Sequence, residues 1–334
     1  MPEDNVMPGR EDAALRRRVL IIQRVVGLIP AMAAAALGLL YVACALANGI
    51  NLRIGFEVIV SNVTLVALVA TGASFIFTCG SFDLSLGASM LLSAVIGGYA
   101  GIRTGSVLLM VIVCIISAVT LSVTNSVLAS FFNLPVFIMT IVMMNVYGSV
   151  SNLLFTTLGE NAKLSVPFSL VTGLNTTGFR IAVLAAYEIF CCFLFYFTKL
   201  GRREKFLGGN PVCAALSGIK PKSLTILSFA LAGIGIGLAA FSLIVETPTL
   251  SSSSGSSVGM NMLIALVFGG MNMNGGPGSK MYAALLGSLS MAFLDSFMNI
   301  FVTGSWYLER VKGVLFVLVV FLFTIGKRPR LLPR

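Results

Sequence analysis

Long apolar runs alternate with short polar segments along the whole chain. The runs cover residues 25–47, 56–77, 86–102, 105–129, 134–155, 179–198, 223–246, 260–270, 281–303 and 307–326. An α-helix needs about 20 apolar residues to cross a bilayer. The pattern therefore predicts an all-α polytopic membrane protein with about ten transmembrane helices. The first run is too long for the core of a signal peptide and reads as a retained helix. Two runs are short: the one after Asp83, and 260–270. Short, glycine-interrupted runs mark broken helices beside a pathway, or re-entrant segments, so eight crossings stays open.

The polar segments set the expected orientation. Arg10, Arg16, Arg17, Arg18 and Arg24 place the N-terminus in the cytoplasm by the positive-inside rule. Lys199, Arg202, Arg203, Lys205, Lys220 and Lys222 do the same for the central loop, and Lys327, Arg328, Arg330 and Arg334 for the C-terminus. Crossings between these landmarks must be even in number, which six runs before the loop and four after it satisfy. The segments Thr156–Gly178 and Thr247–Gly259 then face outside. The chain divides into a cytoplasmic tail (1–18), a membrane domain (19–326) with its cytoplasmic loop 199–222, and a basic tail (327–334).

Composition agrees with this reading and narrows the chemistry. Residues are 57% hydrophobic and 10% charged, against about 25% charged in soluble domains. The net charge of +10 is dispersed among the short loops. It is topological, and no nucleic acid is expected as a partner; lipid is. The chain has no histidine, which removes histidine-based acid–base chemistry and metal ligation. No acidic cluster offers a metal site, and the six cysteines form no CxxC pair and read as packing residues. A membrane enzyme is disfavoured on these grounds. Gly275–Lys280 resembles a phosphate loop only faintly, because Met281 follows the lysine and no strand precedes it. With no loop long enough to bury a core, the chain holds no ATPase of its own.

The central loop carries the clearest local signal. Gly208 and Gly209 can break a helix, Asn210 can cap the next one, and Pro211 suits its first position. Pro211–Ser217 is predicted as a helix of about two turns, with Gly218 as its stop. So short a helix is marginal in water. It is either a docking element packed against a partner or an ordinary connector held by its own chain.

Several motifs now fall in order. Leu200-Gly201-Arg202, Leu207-Gly208-Gly209-Asn210 and Leu216-Ser217-Gly218-Ile219 resemble the cytoplasmic loop of ribose-type ABC importer permeases. Asp83-Leu84-Ser85-Leu86-Gly87, Phe137-Ile138-Met139-Thr140, Ile264-Ala265 with Gly269-Gly270 and Gly275-Gly276-Pro277-Gly278, and Lys312-Gly313-Val314 resemble further motifs of that family. The resemblance covers roughly residues 55 to 325. It implies a fold like that of the vitamin B12 permease, in a bacterial inner membrane. It also implies a second permease subunit, ABC ATPase subunits that hold ATP and magnesium, and a soluble binding protein outside. No cofactor is then bound by this chain. Gly208, Gly209, Asn210, Pro211, Ala214, Leu216, Ser217 and Gly218 would form the coupling element that seats in the ATPase. The cargo would be a monosaccharide, with a nucleoside, inositol or autoinducer-2 as alternatives. The chain departs from the family at Glu246–Leu250, Met260–Leu263 and Tyr282–Leu285, which leaves the substrate open.

Polar groups within the apolar runs are the remaining candidates. Asp83 sits at a helix boundary and is expected to cap through the amide of Ser85 or Leu86; direct substrate contact is the alternative. Glu188 and Asp295 lie deep in their runs, where an unpaired carboxylate costs about 2.5–3.5 kcal/mol. They should pair, face the interior or be protonated, and they are what a rival reading, a proton-coupled carrier, would use. Phe137 and Thr140, through their motif, and the neutral Asn145 and Asn272 are pathway candidates suited to weak contact with a polyol. Interhelical hydrogen bonding explains each asparagine at least as well. Gly233, Gly235 and Gly237 predict close helix packing, and Trp306 and Tyr307 an interfacial anchor.

Overall fold

A computed structural model describes residues 30–159, 161–272 and 274–301, together with helical positions at Arg310, Gly313, Val314 and Val317. The tails, Trp306, Tyr307 and most of the run 307–326 lie outside the described residues. The helices are α1 (Pro30–Ala47), α2 (Leu52–Thr78), α3 (Leu86–Thr104), α4 (Val107–Phe131), α5 (Val136–Leu158), α6 (Phe168–Val171) and α7 (Thr177–Phe197). They continue as α8 (Lys199–Gly209), α9 (Pro211–Leu216), α10 (Pro221–Glu246), α11 (Val258–Phe268) and α12 (Tyr282–Phe301). A 3-10 turn (Thr172–Leu174) and two two-residue strands, β1 (Leu164–Ser165) and β2 (Thr249–Leu250), complete the elements among the described residues.

Eight helices among the described residues are long and apolar enough to cross a membrane. The run after Asp83, left open between a crossing and a re-entrant segment, is long enough to cross: α3 continues through Arg103 and Thr104 to a left-handed Gly105, and its 19 residues rise about 28 Å. The run 260–270 is short, as expected: α11 has 11 residues and cannot cross alone.

The core forms around α2 and α10. Helix α2 is buried almost all round and packs against α10, α12, α7 and α11. Two of its buried hydroxyls are absorbed by its own backbone: Ser74 and Thr78 donate to the Ala70 and Ser74 carbonyls. Helix α10 wedges between α4 and α2. A methyl group on Gly233 or Gly237 would strike the α4 backbone at Val119 or Ile115, and one on Gly235 would strike the Leu68 carbonyl and the Tyr187 hydroxyl. The glycine triplet is therefore a two-sided packing surface, as its spacing predicts.

The two ends of the bundle differ. At one end α8 and α9 form the connection from α7 to α10. At the other, β1 pairs antiparallel with β2, Leu164 opposite Leu250 and Ser165 opposite Thr249. The ladder brings the segments before α7 and after α10 together at a shared end.

Candidate translocation face and coupling elements

Helix α5 is poorly covered by the rest of the chain, and its open surface is not uniformly apolar. Asn145, Ser149, Asn152 and Thr156 are all exposed. Their 4-3-4 spacing puts them within one narrow stripe, about 16 Å long at 1.5 Å per residue. Nearer the α8 end the same face turns apolar, with Ile138 and Val142 exposed. Polar groups in a membrane helix tend to face a partner helix or a water-filled cavity, which makes this stripe the candidate pathway surface. Asn145, a pathway candidate from its sequence context, stands on it, its amide donating to the Ile141 carbonyl at 3.0 Å. Ser149, Asn152 and Thr156 were missed in the linear reading, although the spacing was there to be counted.

The other candidates do not gather on this face. Asp83 is fully buried between α2 and α3, and one carboxylate oxygen accepts from both the amide and hydroxyl of Ser85 at 2.7 Å. The expected bond to the Ser85 amide is thus present, but it closes a turn before α3, whose cap residue is Ser85 itself. Ser85 Oγ accepts from Asn125 Nδ2 at 2.7 Å, and the Tyr147 hydroxyl lies 2.8 Å from Asn125 Oδ1. The network joins the α2–α3 loop, α4 and α5. Burial raises the Asp83 carboxyl to about 6. Beside it, Thr140 Oγ1 accepts from the Leu84 amide at 3.3 Å, and Phe137 packs against Phe82 with ring centres 6.0 Å apart. Phe137 and Thr140 therefore position the loop that carries Asp83.

Glu188 and Asp295 both point inward. Glu188 Oε1 accepts from Thr71 Oγ1 at 2.5 Å, tying α7 to α2. Asn261 Nδ2 lies 3.3 Å from Asp295 Oδ2, tying α11 to α12. Asn272 closes a loop, donating to the Gly275 carbonyl. That loop sits against the end of α2, where the Gly276 amide donates to the Thr78 carbonyl at 2.9 Å.

The central loop is a pair of helices. Asn210 caps α9 as expected, its Oδ1 accepting from the Val212 and Cys213 amides at 3.0 Å. Ser217 caps the far end and Gly218 turns the chain at φ +80°. Ala214 is buried and anchors α9, while Val212 and Leu216 are 69% and 84% exposed. The preceding residues form α8, an additional helix, with Gly201, Glu204 and Leu207 on its buried face. There is no room for a side chain at Gly208, which lies against the Thr78 carbonyl. Apolar tips held outward on a well-capped short helix suit contact with another protein.

A bundle of membrane-spanning helices with one polar side and an exposed helical foot has the plan of a membrane transport permease. The chain belongs to the family described as the branched-chain amino acid transport system / permease component, which it matches over residues 55–321. It is 30% identical to the ribose import permease of Escherichia coli (strain K12) over 275 residues, 78% of this chain and 83% of the relative. The ribose import permease of Bacillus subtilis (strain 168) is 29% identical over 277 residues, with 78% and 82% covered. The fructose import permease of Rhizobium meliloti is 26% identical over 274 residues, with 78% and 75% covered. No solved structure matches the chain. The relatives are permease components of import systems, and they lend no support to the proton-coupled alternative.

Proposed function

We propose that this chain is the membrane permease subunit of an ATP-driven importer for a neutral monosaccharide. The observation that carries the reading is the uncharged amide-and-hydroxyl stripe of Asn145, Ser149, Asn152 and Thr156 on an otherwise uncovered helix. Paired with the α5 of a second permease subunit, it becomes one wall of a pathway. Amides and hydroxyls exchange hydrogen bonds with a polyol at little net gain, which suits passage better than retention. The absence of charge along the stripe favours a neutral solute, as do the ribose and fructose named for the relatives.

In this reading α9 is the coupling helix. Val212 and Leu216 seat in an ABC ATPase subunit, which holds ATP and magnesium, and a soluble binding protein delivers cargo at the β1–β2 end. The α8–α9 end faces the cytoplasm together with both termini. If α11 and the last apolar run 307–326 are counted with the eight long helices, the membrane segments number ten, in keeping with a vitamin B12-type permease plan.

Reconstitution in vesicles tests the proposal. Uptake of labelled pentoses or hexoses should require the ATPase, the binding protein and ATP together. Uptake by this chain alone on a proton gradient would overturn it. Leu216→Arg should leave the fold intact and abolish ATP-dependent uptake.

A further inference from the structure

Glu204 has no role in the reading above, yet it is among the least expected residues in the molecule. It lies on α8, in a loop otherwise rich in exposed cations, and its side chain is fully buried. One carboxyl oxygen, Oε1, is 2.6 Å from Ser228 Oγ on α10. The other, Oε2, is buried with no hydrogen-bond partner. Among the described residues no salt bridge compensates it: the adjacent Lys205 has its ammonium turned over the Phe195 and Tyr196 rings of α7, 4.3 and 5.1 Å from their centres.

Counting protons shows which form of Glu204 fits. Ser228 Oγ is also 3.0 Å from the Leu224 carbonyl oxygen. One hydroxyl proton cannot serve two acceptors. If Glu204 carries a proton, the deficit disappears: its O–H donates to Ser228 Oγ, and Ser228 donates to Leu224. A buried ionised carboxylate would instead leave an uncompensated charge.

We propose that Glu204, as a neutral acid, is the positioning residue that holds α8, and through it the coupling helix α9, on the membrane bundle. The contact lies where it can do this. It bonds α8 to α10, and Cys79, the residue after α2, places its sulfur 3.2 Å from the same Ser228 hydroxyl. Glu204 is followed by Leu207 and Gly208, which seat against the end of α2. A push on α9 therefore reaches α2 and α10 through this contact.

The groups facing Glu204 are Ser228 from α10, the Cys79 thiol beside α2, and Lys205 on its own helix. Burial raises the Glu204 carboxyl to about 8, with the Ser228 bond and Lys205 opposing. The folded value exceeds the unfolded one. The stabilisation is therefore complete below the ordinary carboxylate range and declines as pH rises through about 8. The neutral fraction falls about tenfold between pH 7 and pH 9.

This inference rests on the coupling-helix reading, so its test has one arm independent of transport. In the assembled transporter in vesicles, solute taken up per ATP hydrolysed should fall several-fold from pH 7 to pH 9. Glu204→Gln, which keeps the shape and cannot ionise, should remove that fall, and Glu204→Ala should lower the ratio at both pH values. In the full-length permease alone, maleimide labelling of Cys79, read by mass spectrometry, should be faster in wild type than in Glu204→Gln at pH 9 and equal at pH 7. A nearby carboxylate charge by itself would slow that labelling, so faster labelling reports release of α8. Equal labelling at pH 9, or the same alkaline loss of uptake in Glu204→Gln, would overturn the proposal. A labelling difference with an unchanged uptake ratio would overturn the role in coupling and would place the fault in the coupling-helix reading.

Discussion

Helices α5 and α7 are covered to the same small extent by the rest of the chain, yet a polar stripe runs through the open face of α5 and none through that of α7. The open face of α7 carries Ile181, Ile189, Phe190, Phe193 and Phe197. Its exposed Tyr196 uses its hydroxyl to accept from the Met281 amide at 3.1 Å. The open face of α5 mixes Val146, Val150 and Leu153 with its polar stripe. Lack of cover alone therefore does not identify a lipid-facing helix. What the chain leaves bare on α7 is aliphatic and aromatic, whereas on α5 amides and hydroxyls alternate with aliphatic side chains.

The strongest way to break this contrast is to erase the polar stripe. Asn145→Leu combined with Asn152→Leu should reduce uptake on the order of a hundredfold, about tenfold or 1.4 kcal/mol per site. Thermal unfolding in detergent should be unchanged. Full uptake in that variant would remove α5 from the pathway. Next in size is a charge placed on either helix. Ile189→Asp should cost about 2.5–3.5 kcal/mol of membrane insertion, seen as loss of integrated protein, whereas Ser149→Asp should insert normally. Equal loss in both would mean that both faces meet lipid.

The inner face of α7 gives a smaller effect. Thr71→Val leaves the buried Glu188 without its donor and should lower stability by about 1–3 kcal/mol, read as a lowered melting temperature. The smallest change is expected from Ile189→Ala, where lipid replaces the missing atoms. Its stability should stay within about 0.5 kcal/mol of wild type. A larger loss would reveal a protein partner on α7.

Much of this arrangement can be read from the linear chain, because bilayer thickness and backbone hydrogen bonding leave few choices. The apolar runs mark the spans to within a few residues, and the Gly-Gly-Asn-Pro sequence marks the start of α9. The end of α3 was harder, since Arg103 and Thr104 look like loop residues although their backbone continues the helix. Helix α8 was hidden by its charge. Lys199, Arg202, Arg203 and Lys205 read as a loop, while the 201, 204, 207 spacing of the buried residues is helical. The site was less legible than the fold. Asn145 was found by its polarity. The companions of Asn145 are ordinary serine, asparagine and threonine residues, and they become distinctive only once neighbouring helices are seen to leave them uncovered. Thr140 drew attention through its motif and Glu188 through its polarity, but their partners Leu84 and Thr71 lie on other elements, beyond the reach of local spacing; the Asp83 partner Ser85 lies two residues on and was legible.

The two-residue ladder between β1 and β2 has a consequence for biosynthesis. Leu164 leaves the ribosome well before Leu250, with α7 through α10 inserted between them. The strands can meet only if those helices have threaded the membrane an even number of times. A single inverted helix would leave the strands on opposite sides of about 30 Å of hydrocarbon. The ladder thus closes late in assembly, and only when an even number of crossings separates its two strands.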